Sequence, residues 1–307
     1  MYLKKIILPI LFAIGSTVHA QNIPSYVSTN GLVGWWPFTG NAIDSSGKGN
    51  NGNVVNAVLT ADRFGRANAA YSFNGINSRI DVPDAVSLNG TKLTISVWVF
   101  NNNISRTGQV IYKGSLNAEG EAYSVYCINN YPGSGVKVAS NCVPAVGWRG
   151  TDCKQTASQG SWEHLVSTFD GAKFRIYKNG VLDTTIAVTG LMDVCSGGGL
   201  RFGYNHNRYS TSTGDSFDGV IDDIGIWNRA LDPNEINQLY SGNMECSNSG
   251  NLGINVCIPQ RSLHVKDVLR LEPRSFSPPN PSKGDIYFDG TTNKLRVYDG
   301  TIWRDCW

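Results

Sequence analysis

Lys92-Leu93-Thr94-Ile95-Ser96-Val97-Trp98-Val99-Phe100 alternates along its whole length. In an extended chain Leu93, Ile95, Val97 and Val99 point one way, and Thr94, Ser96, Trp98 and Phe100 the other. Both sides carry apolar groups, so the stretch reads as a strand packed between layers. Trp162 to Phe169 reads as a second strand and Phe174 to Tyr177 as a third, which runs into Asn179-Gly180. That dipeptide is a hairpin signal because both residues tolerate positive φ. Leu200 to Tyr204 and Gly219 to Trp227 are further strands, and one short helix is expected from about Pro233 to Tyr240, with Asp232 as its cap. Long helical periodicity is absent. Residues 31–243 therefore read as one all-β, two-sheet antiparallel sandwich with one short helix.

The flanks differ in kind. Residues 1–20 have Lys4 and Lys5, then an apolar run from Ile6 to Ile14, then Val18-His19-Ala20. This is the pattern of a signal peptide cleaved near Ala20, and the apolar run is short for a membrane span. A secreted, extracellular or cell-surface protein is expected, with 21–30 as an N-terminal tail and no transmembrane segment. Residues 244–259, rich in Ser, Asn and Gly, read as a Cys-containing linker. Residues 260–307 read as a small C-terminal β-hairpin module: Asp285 to Phe288 and Lys294 to Tyr298 flank a turn at Asp289 to Asn293. A lone hairpin cannot hold a core. Its aromatic groups call for docking or for self-association, so a homo-oligomer through this module is expected.

Net charge is +2 and no basic stripe is present, which argues against nucleic acid as a partner. The seven cysteines lie beyond the leader, and export makes disulfides the default reading. Their spacing lacks the paired groups of a zinc site. Cys142 and Cys153 bracket one loop and Cys246 and Cys257 another, so these two bridges are expected, with Cys127 to Cys195 as a third. Each is typically worth about 2–4 kcal/mol. Cys306 is left over, free to pair between chains.

Several stretches of 31–243 carry a likeness. Leu32-Val33-Gly34-Trp35-Trp36-Pro37-Phe38, Asp44 to Gly52, Ala70-Tyr71-Ser72-Phe73-Asn74-Gly75 and Trp162-Glu163-His164-Leu165 are four of them. Tyr177-Lys178-Asn179-Gly180, Phe217 to Ile224 and Trp227-Asn228-Arg229-Ala230-Leu231 follow in order. Together they resemble the laminin-G-like, or concanavalin A-like, jellyroll domains of secreted bacterial proteins. The C-terminal hairpin resembles segments of tail-fibre-type proteins. The first resemblance implies a jellyroll fold that hosts lectins, adhesion domains and glycan-cleaving enzymes alike. It also implies a structural calcium at Asp44 and Asp222. Asp44 to Gly52 is rich in oxygen donors. Asp222, by strict alternation, shares a core face with Val220, Ile224 and Ile226, where an unpaired carboxylate is costly. The alternative is an Asx turn at Asp44 and backbone donors at Asp222.

Catalysis finds little support. Glycan hydrolysis needs two carboxylates flanking one bond. Glu119 and Glu121 alone have suitable spacing, and Asp222 and Asp223, being adjacent, should point to opposite faces of a strand. No Gly-x-Ser-x-Gly elbow is present. Trp35, Trp98, Trp162 and Trp227 sit in strand patterns and read as core. Trp148, with Arg149, lies in an irregular stretch between Cys142 and Cys153, and Tyr204, His206 and Tyr209 form a polar aromatic loop. These five are the candidate ligand contacts. The expected function is a non-catalytic binding or adhesion module for a glycan or a surface protein. The alternatives are a structural display protein and, more distantly, a glycan hydrolase.

Overall fold

The computed structural model describes residues 23–114, 121–128, 130–138, 147–193, 198–204, 216–241, 252–254, 263–265, 271, 273–278 and 281–306. The chain divides into two compact units that meet in sequence at Asn243 and Met244.

Among the described residues the first unit holds two antiparallel sheets. The larger has eight strands, ordered β13 (Val181–Ala187), β12 (Lys173–Lys178), β11 (Trp162–Phe169), β6 (Leu93–Asn101), β15 (Asp218–Trp227), β4 (Ala70–Asn74) and β3 (Val58–Thr60). β1 (Leu32–Trp36) pairs with the second half of β15, whose first half pairs with β4. The other sheet has seven strands, ordered β10 (Trp148–Asp152), β9 (Tyr131–Lys137), β8 (Glu121–Ile128), β7 (Gly108–Gly114), β14 (Leu200–Phe202), β5 (Arg79–Val82) and β2 (Asn53–Val55).

The inner faces meet in one core. Leu93, Ile95, Val97 and Val99 of β6 pack there with Ile80, Val82, Ile111, Val125, Val136, Leu200 and Phe202 of the smaller sheet. The other side of β6 is buried too, as its two-sided apolar pattern requires. Trp35, Val166, Tyr177 and Trp227 form a second cluster with Val27 of the N-terminal segment and Ile236 and Leu239 of helix α1 (Pro233–Ser241). Asp232 starts that helix by accepting the amides of Asn234 and Glu235, and Glu235 returns to the Asp232 amide at 3.0 Å. This reciprocal cap is a capping box. Asn179 and Gly180 both have positive φ, 51° and 77°, as the tight β12–β13 hairpin demands.

Strict alternation fails in β15. Pairing with β6 slips between Asp222 and Gly225, and Asp223 has a φ of +43°. This bulge resets which side chains face inward. Ile221, Ile224 and Ile226 all enter the main core, and Asp222 faces the other way. The expected shared core face of Val220, Asp222, Ile224 and Ile226 is therefore corrected.

The second unit has a parallel pair, β16 (Leu252–Ile254) with β17 (Leu263–Val265), and a three-stranded antiparallel sheet. The expected hairpin is β18 (Ile286–Asp289) and β19 (Lys294–Tyr298), and β20 (Trp303–Asp305) adds a third strand that the sequence reading did not foresee. Its Trp303 packs 4.6 Å from Tyr287 and 5.3 Å from Tyr298, gathering the aromatic groups on one face.

Candidate ligand-binding face

With one face of the seven-stranded sheet turned to the core, alternation dictates what lies on the other. The pairing registers join Asn53, Asp81, Arg201, Tyr112, Ser124, Gly135 and Gly150 in one continuous rung across all seven strands. Tyr126, Gly133 and Asp152 form part of the neighbouring rung.

The glycines of this face have a steric reason. A Cβ on Gly135 would enter the Trp148 indole, and one on Gly133 would enter the Tyr126 ring. On Gly150 it would stand 3.1 Å from the Trp148 Nε1 atom, and on Gly114 2.6 Å from the Tyr112 hydroxyl. Each ring thus lies down over the space where a side chain would stand. Tyr126 and Trp148 are half-buried and Tyr112 is buried. Flat, partly exposed aromatic rings with a few placed polar groups are the usual composition of a ligand site.

Polar groups occupy the far side of the same face. Asp81 accepts the Arg201 Nε–H at 2.8 Å on Oδ1 and the Arg79 Nε–H at 2.9 Å on Oδ2. The Arg79 guanidinium also lies 6.0 Å from the Tyr204 ring centre.

The structure places the expected contacts unequally. Trp148 begins strand β10 instead of lying in an irregular loop, because Trp148 to Asp152 pair with Lys137 to Gly133 of β9. Arg149 follows it, so alternation turns it to the opposite side. It is exposed and donates to the Trp148 carbonyl at 2.8 Å. Tyr204 is half-buried beside Arg79. His206, Tyr209 and Glu119 lie outside the described residues, as does the Glu121 side chain. Arg79, Asp81, Tyr112, Tyr126 and Arg201 were missed, since each sits in an ordinary strand pattern with no local mark. Cys127, Cys153 and Cys306 are free thiols in the structure, the first two buried. Cys142, Cys195, Cys246 and Cys257 lie outside the described residues, and so does the export signal.

The calcium expectation can be tested on the oxygens themselves. Asp44 Oδ1 accepts the amides of Trp35 and Ser46, and Oδ2 accepts the Ser46 hydroxyl and the Asn50 amide, all within 3.0 Å. Four donors fill the four lone-pair positions of a carboxylate. Asp222 is engaged on both oxygens. Its Oδ2 lies 2.6 Å from Arg63 Nη1, and its Oδ1 accepts the Asp223 amide at 2.8 Å. The bulge also turns Asp223 onto Arg63 Nη2 at 2.6 Å, so the two carboxylates converge, contrary to their expected divergence. Among the described residues no three His, Cys, Asp or Glu side chains gather as metal ligands. Asp44 and Asp222 do not fit a calcium.

The Arg63 cluster is sealed. The guanidinium lies 4.5 Å from the Trp98 ring, which stacks 4.9 Å from His164, and Tyr240 of α1 covers both. His164 Nε2 meets the Ser96 hydroxyl at 2.8 Å, and its Nδ1 has no partner. Burial, helped by the nearby Arg63 charge, pushes the His164 imidazole down to about 3. Burial and the adjacent Asp223 push the Asp222 carboxyl well up. The cluster is structural. It clamps the β3–β4 connection, β15 and α1 together.

An all-β jellyroll sandwich with a polar aromatic outer face defines a broad class of recognition and glycan-active domains. Within it, the chain belongs to the concanavalin A-like lectin/glucanases superfamily, whose Laminin_G_3 model matches residues 74–237. No curated protein matches the chain. Among solved structures it is similar to domain 4 of AbnA, a GH43 extracellular arabinanase from Geobacillus stearothermophilus, in complex with arabinotriose. The identity is 18%, the TM-score is 0.53, and 68% of this chain and 98% of that one are covered. It is also similar to the binding domain of botulinum neurotoxin DC, solved with SialylT (16% identity, TM-score 0.52) and with rat synaptotagmin II (17%, 0.53). In both, 70% of this chain and 52% of the toxin domain are covered, so the chain spans about half of those domains. At these identities the likeness shows the fold. Among the described residues no helix is long and apolar enough to cross a membrane.

Proposed function

We propose that this chain is a non-catalytic binding module whose outer seven-stranded face holds a carbohydrate. The observation that carries this reading is the laying down of Trp148 and Tyr126 side by side over Gly135 and Gly133. Glycines there cost strand stability, and they give each ring the space over the strand that a side chain would otherwise fill. A pyranose ring stacks its C–H face on half-buried rings of this kind, and the polar groups of the face that keep exposure, Asp152, Asn53, Asp81 and Arg201, serve hydroxyls along the chain of sugars. The arabinotriose held by the arabinanase domain and the SialylT held by the toxin domain support a sugar as the ligand on this fold. An extracellular location belongs to this reading and rests on the leader pattern of residues 1–20.

Absence of catalysis is part of the proposal. On the described outer face Asp81 and Asp152 are the carboxylates, and they stand on strands β5 and β10, five steps apart. At roughly 4.8 Å per step they are too far apart for the separation of about 5–9.5 Å that glycoside hydrolysis uses. The experiment is a glycan array with the full chain, Trp148→Ala and Tyr126→Ala. Saturable binding that each substitution weakens at least tenfold, with melting unchanged, supports the reading. Binding indifferent to both substitutions, or no binding to any glycan, overturns it and leaves the display-protein alternative.

A further inference from the structure

The geometry points to an oxyanion-bearing ligand: we infer that Arg79 and Arg201 form the anion-reading end of this face, and that the glycan it takes is acidic. The inference rests on the binding face proposed above and names the chemical class of its ligand.

One carboxylate here holds two guanidiniums. Asp81 uses one oxygen on each Nε–H, so both side chains are fixed at their inner edge. A guanidinium has five N–H donors, of which Nε supplies one. Four remain on each arginine, and among the described residues they have no hydrogen-bond partner. The trio carries a net charge of +1. It is neither sealed nor fully solvated: the side chains of Arg79, Arg201 and Asp81 are 32%, 16% and 30% exposed. An ordinary surface pair adds only about 0–1 kcal/mol to stability, so stability does not call for a second arginine on the same carboxylate. What the arrangement supplies is two planar forks held in place, the geometry that grips a carboxylate or sulfate with paired bonds.

Position ties the pair to the aromatic floor. Arg201 is directly opposite Tyr112 in the rung and three strands from Gly135, over which Trp148 lies. At roughly 4.8 Å per strand the forks and the indole are about 14 Å apart. Tyr112, Ser124 and Gly135 of the rung between them are buried, so the ligand that joins the two ends is an oligosaccharide that stacks on Trp148 and places an acidic substituent at the partly exposed arginines. A single sugar cannot reach both.

The test uses the full chain and four probes of equal length: an oligogalacturonate, its methyl ester, a sulfated oligosaccharide and a neutral oligosaccharide. Titration calorimetry gives each affinity for the wild type, Arg79→Gln, Arg201→Gln and Arg201→Lys, with melting as a fold check. The wild type is expected to favour the oligogalacturonate or the sulfated probe over the uncharged ones at least tenfold, and the favoured probe identifies the oxyanion. Each Gln variant should bring the ratio of affinities for the favoured charged probe and its uncharged counterpart close to one. Arg201→Lys, which keeps the charge and loses the fork, should lower it partway. Equal affinity for the charged and the uncharged probes in the wild type, or a preference that survives both Gln variants, overturns the inference while the sugar-binding face stands. Failure of every probe to bind overturns both.

Discussion

Asp222 and Asp223 are consecutive in the chain, yet both hold the guanidinium of Arg63, each at 2.6 Å. An unbroken strand would send the two side chains to opposite faces. The positive φ of Asp223 and the slipped register beside it bring them together. Removing the shared cation leaves two carboxylates facing each other out of water. Arg63→Met is therefore expected to cost about 3–5 kcal/mol. Asp222→Asn should cost less, because burial and Asp223 already disfavour its charged form. Urea unfolding of the three proteins checks the order. Equal losses would show that the charge balance at Arg63 is unimportant.

Acid should loosen the same region through His164. The imidazole titrates near 6.5 when unfolded and is pushed down to about 3 when buried. Between those values the unfolded chain takes up a proton that the folded chain refuses. The stabilising contribution is full above pH 6.5 and is lost as pH falls toward 3, at up to about 1.4 kcal/mol per pH unit. Asp222, whose carboxyl is raised, acts in the opposite sense, so the comparison must isolate the histidine. His164→Phe keeps the stack with Trp98 and Tyr240 and cannot be protonated. Its stability should fall less steeply than the wild type between pH 6 and pH 4. Parallel curves would exclude His164 as the acid-sensitive group.

The glycine floor predicts an effect on binding separable from folding. In Gly133→Ala the new methyl meets the Tyr126 ring and the Asp152 carboxylate, both movable side chains. Affinity for the glycan should drop severalfold while the melting temperature moves by only a few degrees. In Gly135→Ala the methyl also meets the Gly150 Cα at 2.8 Å and the Arg149 carbonyl at 2.9 Å. That variant should lose both affinity and stability. Unaltered affinity in Gly133→Ala would remove Tyr126 from the site.

Asp44 offers a direct test of the calcium expectation. Its four hydrogen bonds tie β1 to the following loop. Asp44→Ala leaves buried donors unpaired, and the melting temperature should fall substantially. The fall should be the same with calcium and with chelator. A loss seen only when calcium is present would show a cation at this carboxylate.

Thiol labelling separates the cysteines. Burial pushes the Cys127 thiol up to about 11 and the Cys153 thiol up to about 12, while Cys306 is exposed. In the native protein iodoacetamide should modify Cys306 quickly and leave the other two untouched. Unfolding without reductant then decides the pairing. Labelling of Cys127 and Cys153 shows free thiols, and protection until reductant is added shows the expected bridges to Cys195 and Cys142.

Local sequence determined the strands and their stops. The two-sided apolar pattern of Lys92 to Phe100 required layers on both sides, and the structure puts the intersheet core on one and α1 with the N-terminal segment on the other. Asn179-Gly180 set a hairpin, and Asp232 with Glu235 set a helix start, because φ freedom and capping are properties of a few adjacent residues. The candidate face was less legible. Trp148 stood out as an aromatic residue in an irregular stretch, but nothing near it revealed that it opens an edge strand. The rung from Asn53 through Asp81, Arg201, Tyr112, Ser124 and Gly135 to Gly150 draws on strands scattered over some hundred and fifty residues. Its order depends on sheet topology and on the bulges in β7 that reset alternation. Likewise the bulge at Asp222 is invisible until β6 and Arg63 are in place to hold it. Short-range periodicity sets which residues alternate. Long-range pairing and register decide which of them end up side by side, and a one-residue slip is enough to turn a side chain from core to surface.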